Sequence, residues 1–384
     1  TIPMMKRTGY PPEFAGAVEA ASSTGGQIMP PIMGAAAFIM AEMTGYEYSD
    51  IIVRAILPAF LYFLGIFLGV HFKAKKLGLV GLKREELPKW KLLLPKIYLL
   101  LPLIILTWMV IAGQTMAKSA IYGTIVAIVV GIINKDDRMT PTKFVNGLEN
   151  GGKNCLSIGI ACGIAGIISV CITMTGLGGK LITYVVKLSN GHLFIALFLT
   201  MICCIILGMG VPTTANYIIM ASTCAPILIN GMGMHILAAN MFVFYFGIVA
   251  DITPPVALAA YAGAAIAKAP PMKTALNATR LAIAAFIIPY IFAYNNAMIF
   301  VGDVTFFGVA SIVISATLGM ASIASGFMGY LIHDLKWYSR IALIAGGLLM
   351  VIPGTVTDLA GLAILIVILL IQRAENKKEK KAAV

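Results

Sequence analysis

Long apolar runs recur along this chain, at 51–71, 97–113, 119–134, 154–175, 193–209, 278–296, 305–326 and 355–371. Each approaches or matches the ~20 residues that a helix needs to cross hydrocarbon. Short polar stretches separate them, so the pattern predicts a succession of membrane-crossing helices. Two further apolar stretches, 13–42 and 236–267, are interrupted internally. The first carries Gly26-Gln27-Ile28-Met29-Pro30-Pro31-Ile32 ahead of an Ala-rich run to Glu42. The second carries Ala250-Asp251-Ile252-Thr253-Pro254-Pro255-Val256 ahead of another, to Lys268. Proline removes a backbone donor and clashes with the preceding helical turn, so a broken helix is predicted at each pair. A pair of unrelated kinks is the alternative, and the matched context of the two sites favours breaks.

The stretch 193–229 predicts a hairpin. Its arms, Leu193–Leu207 and Ala215–Leu228, flank Gly208-Met209-Gly210-Val211-Pro212-Thr213-Thr214. Each arm falls short of the ~20 residues of a full span, so a re-entrant hairpin is expected, with two short tilted spans as the alternative. Backbone freed inside a bilayer is tolerated only where protein or a water-filled cavity satisfies it. Corresponding interrupted segments therefore point to the binding site of a secondary transporter.

Composition agrees with the pattern. Of 384 residues, 60% are hydrophobic and 11% charged, against roughly 45–50% apolar content in a soluble domain. The fold class expected is an all-α polytopic membrane protein. The net charge of +12 could indicate a nucleic-acid partner, but its placement argues for the positive-inside rule. Eight Lys/Arg and two Glu lie between Lys73 and Lys96, and the tail from Arg373 to Lys381 is again basic. The six cysteines (155, 162, 171, 203, 204 and 224) lie in apolar segments without Cys-x-x-Cys spacing, and the four histidines are scattered. Neither zinc nor a disulfide framework is suggested.

Loop charge also sets direction. The basic 72–96 loop is expected inside, which turns span 51–71 inward, 97–113 outward and 119–134 inward to a second loop with Lys135, Arg138, Lys143 and Lys153. Within that loop, 140–152 has Thr140 as a cap candidate and Pro141 at the first helical position. It is read as a helix in the interface. The acidic residues Glu42, Glu47 and Asp50 then fall outside, and Lys268, Lys273 and Arg280 inside. The two broken helices run antiparallel on this count, as inverted-topology repeats require. Toward the C-terminus, 341–352 and 355–371 are split by Pro353-Gly354 and paired as a hairpin that leaves the tail cytoplasmic, with Asp358 as a helix-start residue. Thr1 opens without Met or a complete first span, so the chain reads as a C-terminal fragment.

The candidate chemistry is backbone at broken helices together with hydroxyl and amide groups: Ser22, Ser23, Thr24, Gln27, Thr213, Thr214, Asn216 and Thr253. Hydroxyls and carbonyls suit a small hard cation such as sodium, and half-helix N-termini suit a carboxylate. Ser and Thr in membrane helices also commonly bond their own backbone. Asp251 has two readings. It could cap the half-helix that follows, or, as a carboxylate near mid-membrane, handle an ion or proton. Gln27 occupies its place in the first break. No nucleotide loop, Gly-x-Ser-x-Gly or paired-carboxylate arrangement beside a histidine is present, so an enzyme is not expected.

At Ile2-Pro-Met-Met-Lys-Arg-Thr-Gly-Tyr-Pro-Pro-Glu-Phe-Ala, Ser23-Thr-Gly-Gly-Gln-Ile-Met-Pro-Pro, Gly208-Met-Gly-Val-Pro-Thr-Thr-Ala-Asn-Tyr and Gly247-Ile-Val-Ala-Asp-Ile-Thr-Pro-Pro-Val-Ala-Leu-Ala-Ala-Tyr-Ala, the chain resembles the large membrane subunit of TRAP (tripartite ATP-independent periplasmic) transporters. It is most similar to the fused-permease, TAXI-like type. The resemblance extends from residue 2 to about 296 and implies an elevator-type inner-membrane permease without a cofactor. Its implied activity is sodium-coupled uptake of an organic acid, delivered by an extracytoplasmic substrate-binding protein. A small membrane subunit, or a fused N-terminal membrane region, is the implied partner in the bilayer.

On this reading 1–71 is the remainder of the first inverted repeat and 72–96 a cytoplasmic loop. Residues 97–296 form the second repeat, including span 278–296, and 297–384 a C-terminal membrane extension and basic tail. Gly25, Gly26 and Met29 match one half of a first sodium site. Gly208, Gly210, Thr213, Thr214 and Thr253 are assigned to a second, and Gln27, Thr214, Asn216 and Asp251 to substrate. A citrate- or dicarboxylate-type carrier that works without a binding protein, coupled to sodium or protons, is the alternative. A channel or scaffold is a third reading, but no selectivity-filter repeat or charged pore ring is visible.

Overall fold

The computed structural model describes residues 1–81, 90–134, 137–302, 304–351 and 354–382. Residues 82–89 of the basic loop, Lys135 and Pro353 lie outside the described residues. The described chain is helical, with a lone bridge between Tyr330 and Asp334 as its extended pairing. Five of its helical segments are long and apolar enough to cross a membrane: Tyr48–Lys76, Leu94–Ile111, Pro271–Tyr294, Phe306–Met328 and Val356–Glu375. The protein is all-α and polytopic.

The order begins with α1 (Ile2–Arg7), α2 (Pro12–Gly25), α3 (Ala35–Thr44) and α4 (Tyr48–Lys76). After the undescribed loop come α5 (Trp90–Leu93), a 3-10 turn Leu94–Leu100, α6 (Leu101–Ile111), α7 (Met116–Ile133), α8 (Pro141–Met174) and α9 (Leu177–Ser189). Then follow α10 (Leu193–Gly208), α11 (Thr213–Thr223), a π-helical turn Ile227–Gly231, α12 (Ile236–Ala250), α13 (Leu258–Ala267), α14 (Pro271–Leu281) and α15 (Ile283–Tyr294). The chain closes with α16 (Phe306–Met328), α17 (Trp337–Leu349) and α18 (Thr355–Ala382).

Three boundaries differ from the sequence reading. Residues 140–152 and 154–175 form one continuous helix, α8, in place of an interfacial helix and a separate span. Thr140 does cap it, accepting from the Lys143 amide at 3.3 Å. Lys153, at the expected joint, is tied back one turn to Glu149 at 2.6 Å. A glycine costs only about 1 kcal/mol in a helix, so Gly151 and Gly152 do not stop one that continues well on both sides. The second arm of the hairpin ends at Thr223, short of Leu228, because Pro226 cannot donate to the preceding turn. The stretch between 175 and 193, to which the sequence reading assigned no element, holds the helix α9.

The core is centred on α12, in which every residue from Leu237 to Ala250 is buried. A helix that is apolar on all sides belongs in an interior, and α10, α11 and α15 enclose this one. Phe242 and Phe246 pack 4.8 Å apart, and both meet the ring of Tyr290. The half-helices of the two breaks are locked together elsewhere. α2 crosses α13 at Gly16 and Gly263, where a Cβ on Gly16 would stand 2.8 Å from the Gly263 carbonyl oxygen. Small residues of this kind let helices approach closely inside a membrane. By contrast, α6 to α8 and α18 leave large side chains such as Ile104, Ile125, Ile164 and Leu370 exposed, as faces turned to lipid do.

Candidate functional site

Both breaks fall where the proline pairs predict them, and their local geometry matches. α2 ends at Gly25 and α12 at Ala250. In each break the peptide bond between the two prolines is cis, and the second residue after the pair, Met33 or Ala257, has left-handed backbone (φ +50° and +39°). Met33 donates its amide to Met29 O at 3.3 Å, and Ala257 to Thr253 O at 3.2 Å. The chain then closes back on its start. Gly34 N reaches Gln27 O, and Ala259 N reaches Asp251 O, both at 2.9 Å.

Carbonyls released at the breaks find hydroxyls. Tyr48 at the start of α4 donates to Pro31 O and Ile32 O, both at 2.9 Å. One turn before that break, within α2, Tyr62 also donates to Ala21 O at 2.7 Å. At the second break Tyr261 donates to Pro255 O at 2.7 Å, and Thr279 to Ile252 O at 3.2 Å. These four residues were not singled out from sequence. For Tyr48 and Tyr62 a signal was available, since a tyrosine buried in an apolar helix usually finds a partner for its hydroxyl; Thr279 and the half-buried Tyr261 gave none.

The hairpin tip meets the second break. At the tip, Gly210 turns with φ +74°, and α11 starts at Thr213 without a side-chain cap. A Cβ on Gly208 would stand 2.9 Å from Ala250 Cβ and 2.6 Å from Asn216 Nδ2. Gly210 approaches Val256 of the break more loosely, at 3.9 Å from the same construction. Only glycine at 208 allows this approach.

Asn216 is fully buried and spans the join. At the end of α12 the Asp251 amide turns to Ile248 O, at 3.2 Å, and the carbonyl of Gly247 is taken instead by Asn216 Nδ2, at 3.1 Å. That acceptor fixes which way the amide faces, so Oδ1 points the other way. It is buried without a hydrogen-bond partner. Gln27 Oε1, at the first break, is in the same condition.

The remaining candidates divide between the two breaks. Gly25, Gly26, Gln27 and Met29 sit at the first, beside α4, and a side chain on Gly25 would collide with the ring of Tyr62. Gly208, Gly210 and Asn216 join the second. The Thr253 hydroxyl donates one turn back to Val249 O at 2.7 Å, leaving its lone pairs for other use. Thr213 and Thr214 form the first turn of α11, half-buried, and their hydroxyls make no hydrogen bond among the described residues. The Asp251 carboxylate likewise makes no hydrogen bond or ion pair among the described residues. It does not cap α13, whose N-cap is Ala257 without a side-chain bond. The main-chain carbonyl of Asp251 serves the Ala259 amide instead. Asp251 stands at the C-terminus of α12, where the helix dipole already carries roughly half a negative charge.

No group of three or more His, Cys, Asp or Glu that could hold a metal ion occurs among the described residues. The arrangement suits oxygen ligation by backbone and neutral side chains. A protein-family profile, described as the tripartite ATP-independent periplasmic transporter DctM component, matches residues 1–307. No curated protein matches the chain. This is a family of transport proteins and not of enzymes, and its members work as the permease component of a three-part system. The chain belongs to the DctM component family of tripartite ATP-independent periplasmic transporters.

Proposed function

We propose that this chain is the permease subunit for sodium-coupled uptake of an organic acid delivered by an extracytoplasmic binding protein. The observation that carries the reading is the join between hairpin tip and second break. There the C-terminal end of α12, the free Asp251 carboxylate and the unpartnered Asn216 Oδ1 together present negative charge and an acceptor. Within the same join the uncapped N-terminus of α11 offers amide donors and the hydroxyls of Thr213 and Thr214. A helix C-terminus with a carboxylate disfavours its own charge and is relieved by a cation. A helix N-terminus favours an anion. A cation and an organic anion held side by side attract one another, which is the energetic basis of symport.

Asn216 belongs, on this argument, with the cation and not with the substrate. Its free Oδ1 is an acceptor, and an acceptor cannot bind a carboxylate. Sodium ligation then involves the carbonyls of Gly208 and Gly210 with Thr213, Thr214, Thr253 and Asn216. Gly25, Gly26 and Met29 contribute to the other sodium site, at the first break. Thr214 and the amides of the first turn of α11 face the acid. The matched geometry of the breaks supports inverted-topology repeats, the first ending near residue 71 and the second occupying 97–296. The Gly16–Gly263 crossing supports movement of both broken helices as one elevator body. Loop charge supports an inner-membrane setting with a cytoplasmic C-terminus.

Proteoliposomes carrying the permease with its small-subunit partner or fused region test this. Uptake of organic acids presented on the binding protein should require an inward sodium gradient. Uptake that ignores sodium and follows a proton gradient would replace the proposal with the proton-coupled carrier, Asp251 being the proton acceptor. Uptake without any binding protein would favour the dicarboxylate- or citrate-type reading.

A further inference from the structure

Outside the proposed transport site lies a cavity that touches the second break through Thr279. It is a groove of about 570 Å³ between α10, α15, α16 and α17, with walls that include Phe198, Met201, Phe286, Phe327, Leu348 and Val351. Two hydroxyls within it are already used. Thr279 donates to Ile252 O and Ala275 O, and Tyr290 donates to Met201 Sδ at 3.3 Å. Little is left in the groove for a polar ligand, and its lining suits hydrocarbon. From Thr279 to Tyr294 the groove follows about 22 Å of helix at 1.5 Å per residue, more than half of a ~30 Å hydrocarbon core.

The two ends differ in kind. At one end Tyr294 is 41% exposed, as an aromatic residue at the membrane interface is. The other end is basic. Arg340, one turn before Ile344 of the groove wall, donates from Nε to Gly326 O at 2.9 Å and from Nη2 to the carbonyl of the wall residue Phe327 at 3.2 Å, with further N–H groups to spare. Lys76 Nζ lies 3.3 Å from Met328 O, and it and the Arg340 guanidinium both flank Gly329. Arg280 lines a small adjoining pocket beside Gly69 and Met328, and among the described residues it makes no hydrogen bond or ion pair. The acid that faces this cluster is Asp334, largely exposed and 3.4 Å from Lys76. Among the described residues, three cations against one carboxylate leave an excess of positive charge near this end of the apolar groove.

We propose that the groove holds an acyl chain of an anionic glycerophospholipid, its phosphate seated among Arg280, Lys76 and Arg340. An apolar slot ending in a basic cluster matches an amphiphile with a negative head. A zwitterionic lipid would leave the excess charge uncompensated. The lipid bridges the hairpin arm α10 to α16 and α17, which lie almost wholly beyond the matched family region.

The test uses the full chain purified in detergent, with dioleoylphosphatidylglycerol and dioleoylphosphatidylcholine as probes. Native mass spectrometry counts bound lipid, and thermal unfolding reads the stabilisation. Phosphatidylglycerol should bind and stabilise in preference to phosphatidylcholine. Arg280→Gln and Lys76→Gln should each weaken its binding about fivefold, from ~1 kcal/mol per basic residue near an anionic surface. Both side chains are at the surface, so neither variant threatens folding. Leu348→Trp, filling the groove from a half-exposed position, should remove the bound lipid. Equal binding of the two lipids, or basic-site variants with unchanged lipid counts, would overturn the proposal. So would a groove that excludes lipid because a second copy of the chain covers it.

Discussion

Replacing Asn216 with alanine separates two roles that one buried side chain combines. The amide donor, Nδ2, holds Gly247 O at 3.1 Å across the join between tip and break. Its loss leaves a buried carbonyl without a partner, a cost of about 1–3 kcal/mol. The acceptor, Oδ1, has no partner in the protein. If it faces sodium, its loss removes an acceptor aimed at a full charge, worth at least ~1.5 kcal/mol by comparison with hydrogen bonds to charged groups. That is about a tenfold rise in the half-saturating sodium concentration. Thermal unfolding in detergent, run in potassium and in sodium chloride at equal ionic strength, reads the two separately. In potassium the variant should unfold earlier than the parent, which reports the Gly247 tie. Sodium should stabilise the parent, by about 2.7 kcal/mol at one hundred times its dissociation constant, and the variant by clearly less at the same concentration. A variant that is weaker in potassium but gains as much from sodium as the parent would refute the assignment of Oδ1 to the cation. It would leave Asn216 as a structural tie alone.

Thr214→Val and Thr253→Val keep shape and remove a hydroxyl oxygen, so each should raise the sodium concentration for half-maximal uptake in proteoliposomes; unchanged sodium dependence in both would remove these residues from the site. Gly16→Val should force α2 and α13 apart, because a Cβ there already stands 2.8 Å from a backbone oxygen. It should lower thermal stability by about 1–3 kcal/mol and stop uptake, whereas a functional variant would show that the broken helices need not move together. An imposed inside-negative potential should accelerate uptake if net positive charge enters, at ~2.3 kcal/mol per charge per 100 mV; indifference to potential at saturating sodium would exclude electrogenic coupling. Thr214→Cys, in a background without native cysteines, should react with impermeant reagents from either side in different states, and one-sided labelling under every condition would argue against alternating exposure of the tip.

Apolar run length and the two proline pairs determined, without any coordinates, that the chain is helical and crosses a membrane and where two of its helices break. Those are local properties: the length of an apolar run and the missing N–H of proline act on a few neighbouring residues wherever the chain sits. The boundaries at 153 and 224 were less legible, because glycine costs a helix too little to end it and Pro226 acts within a segment that reads as uniformly apolar. What the tertiary structure alone decided is which side chains reach the breaks from a distance in sequence. Tyr48 and Tyr62 come from α4 to the first break and the turn before it, Thr279 comes from α14 to the second, and Asn216 comes from the hairpin to Gly247. No spacing announces such partners, since a carbonyl released at a helix end accepts from whichever donor packing brings to it. The same holds for Asp251, whose sequence position suggested a cap. In the fold its backbone closes the loop, and its carboxylate is left free at the negative end of a helix.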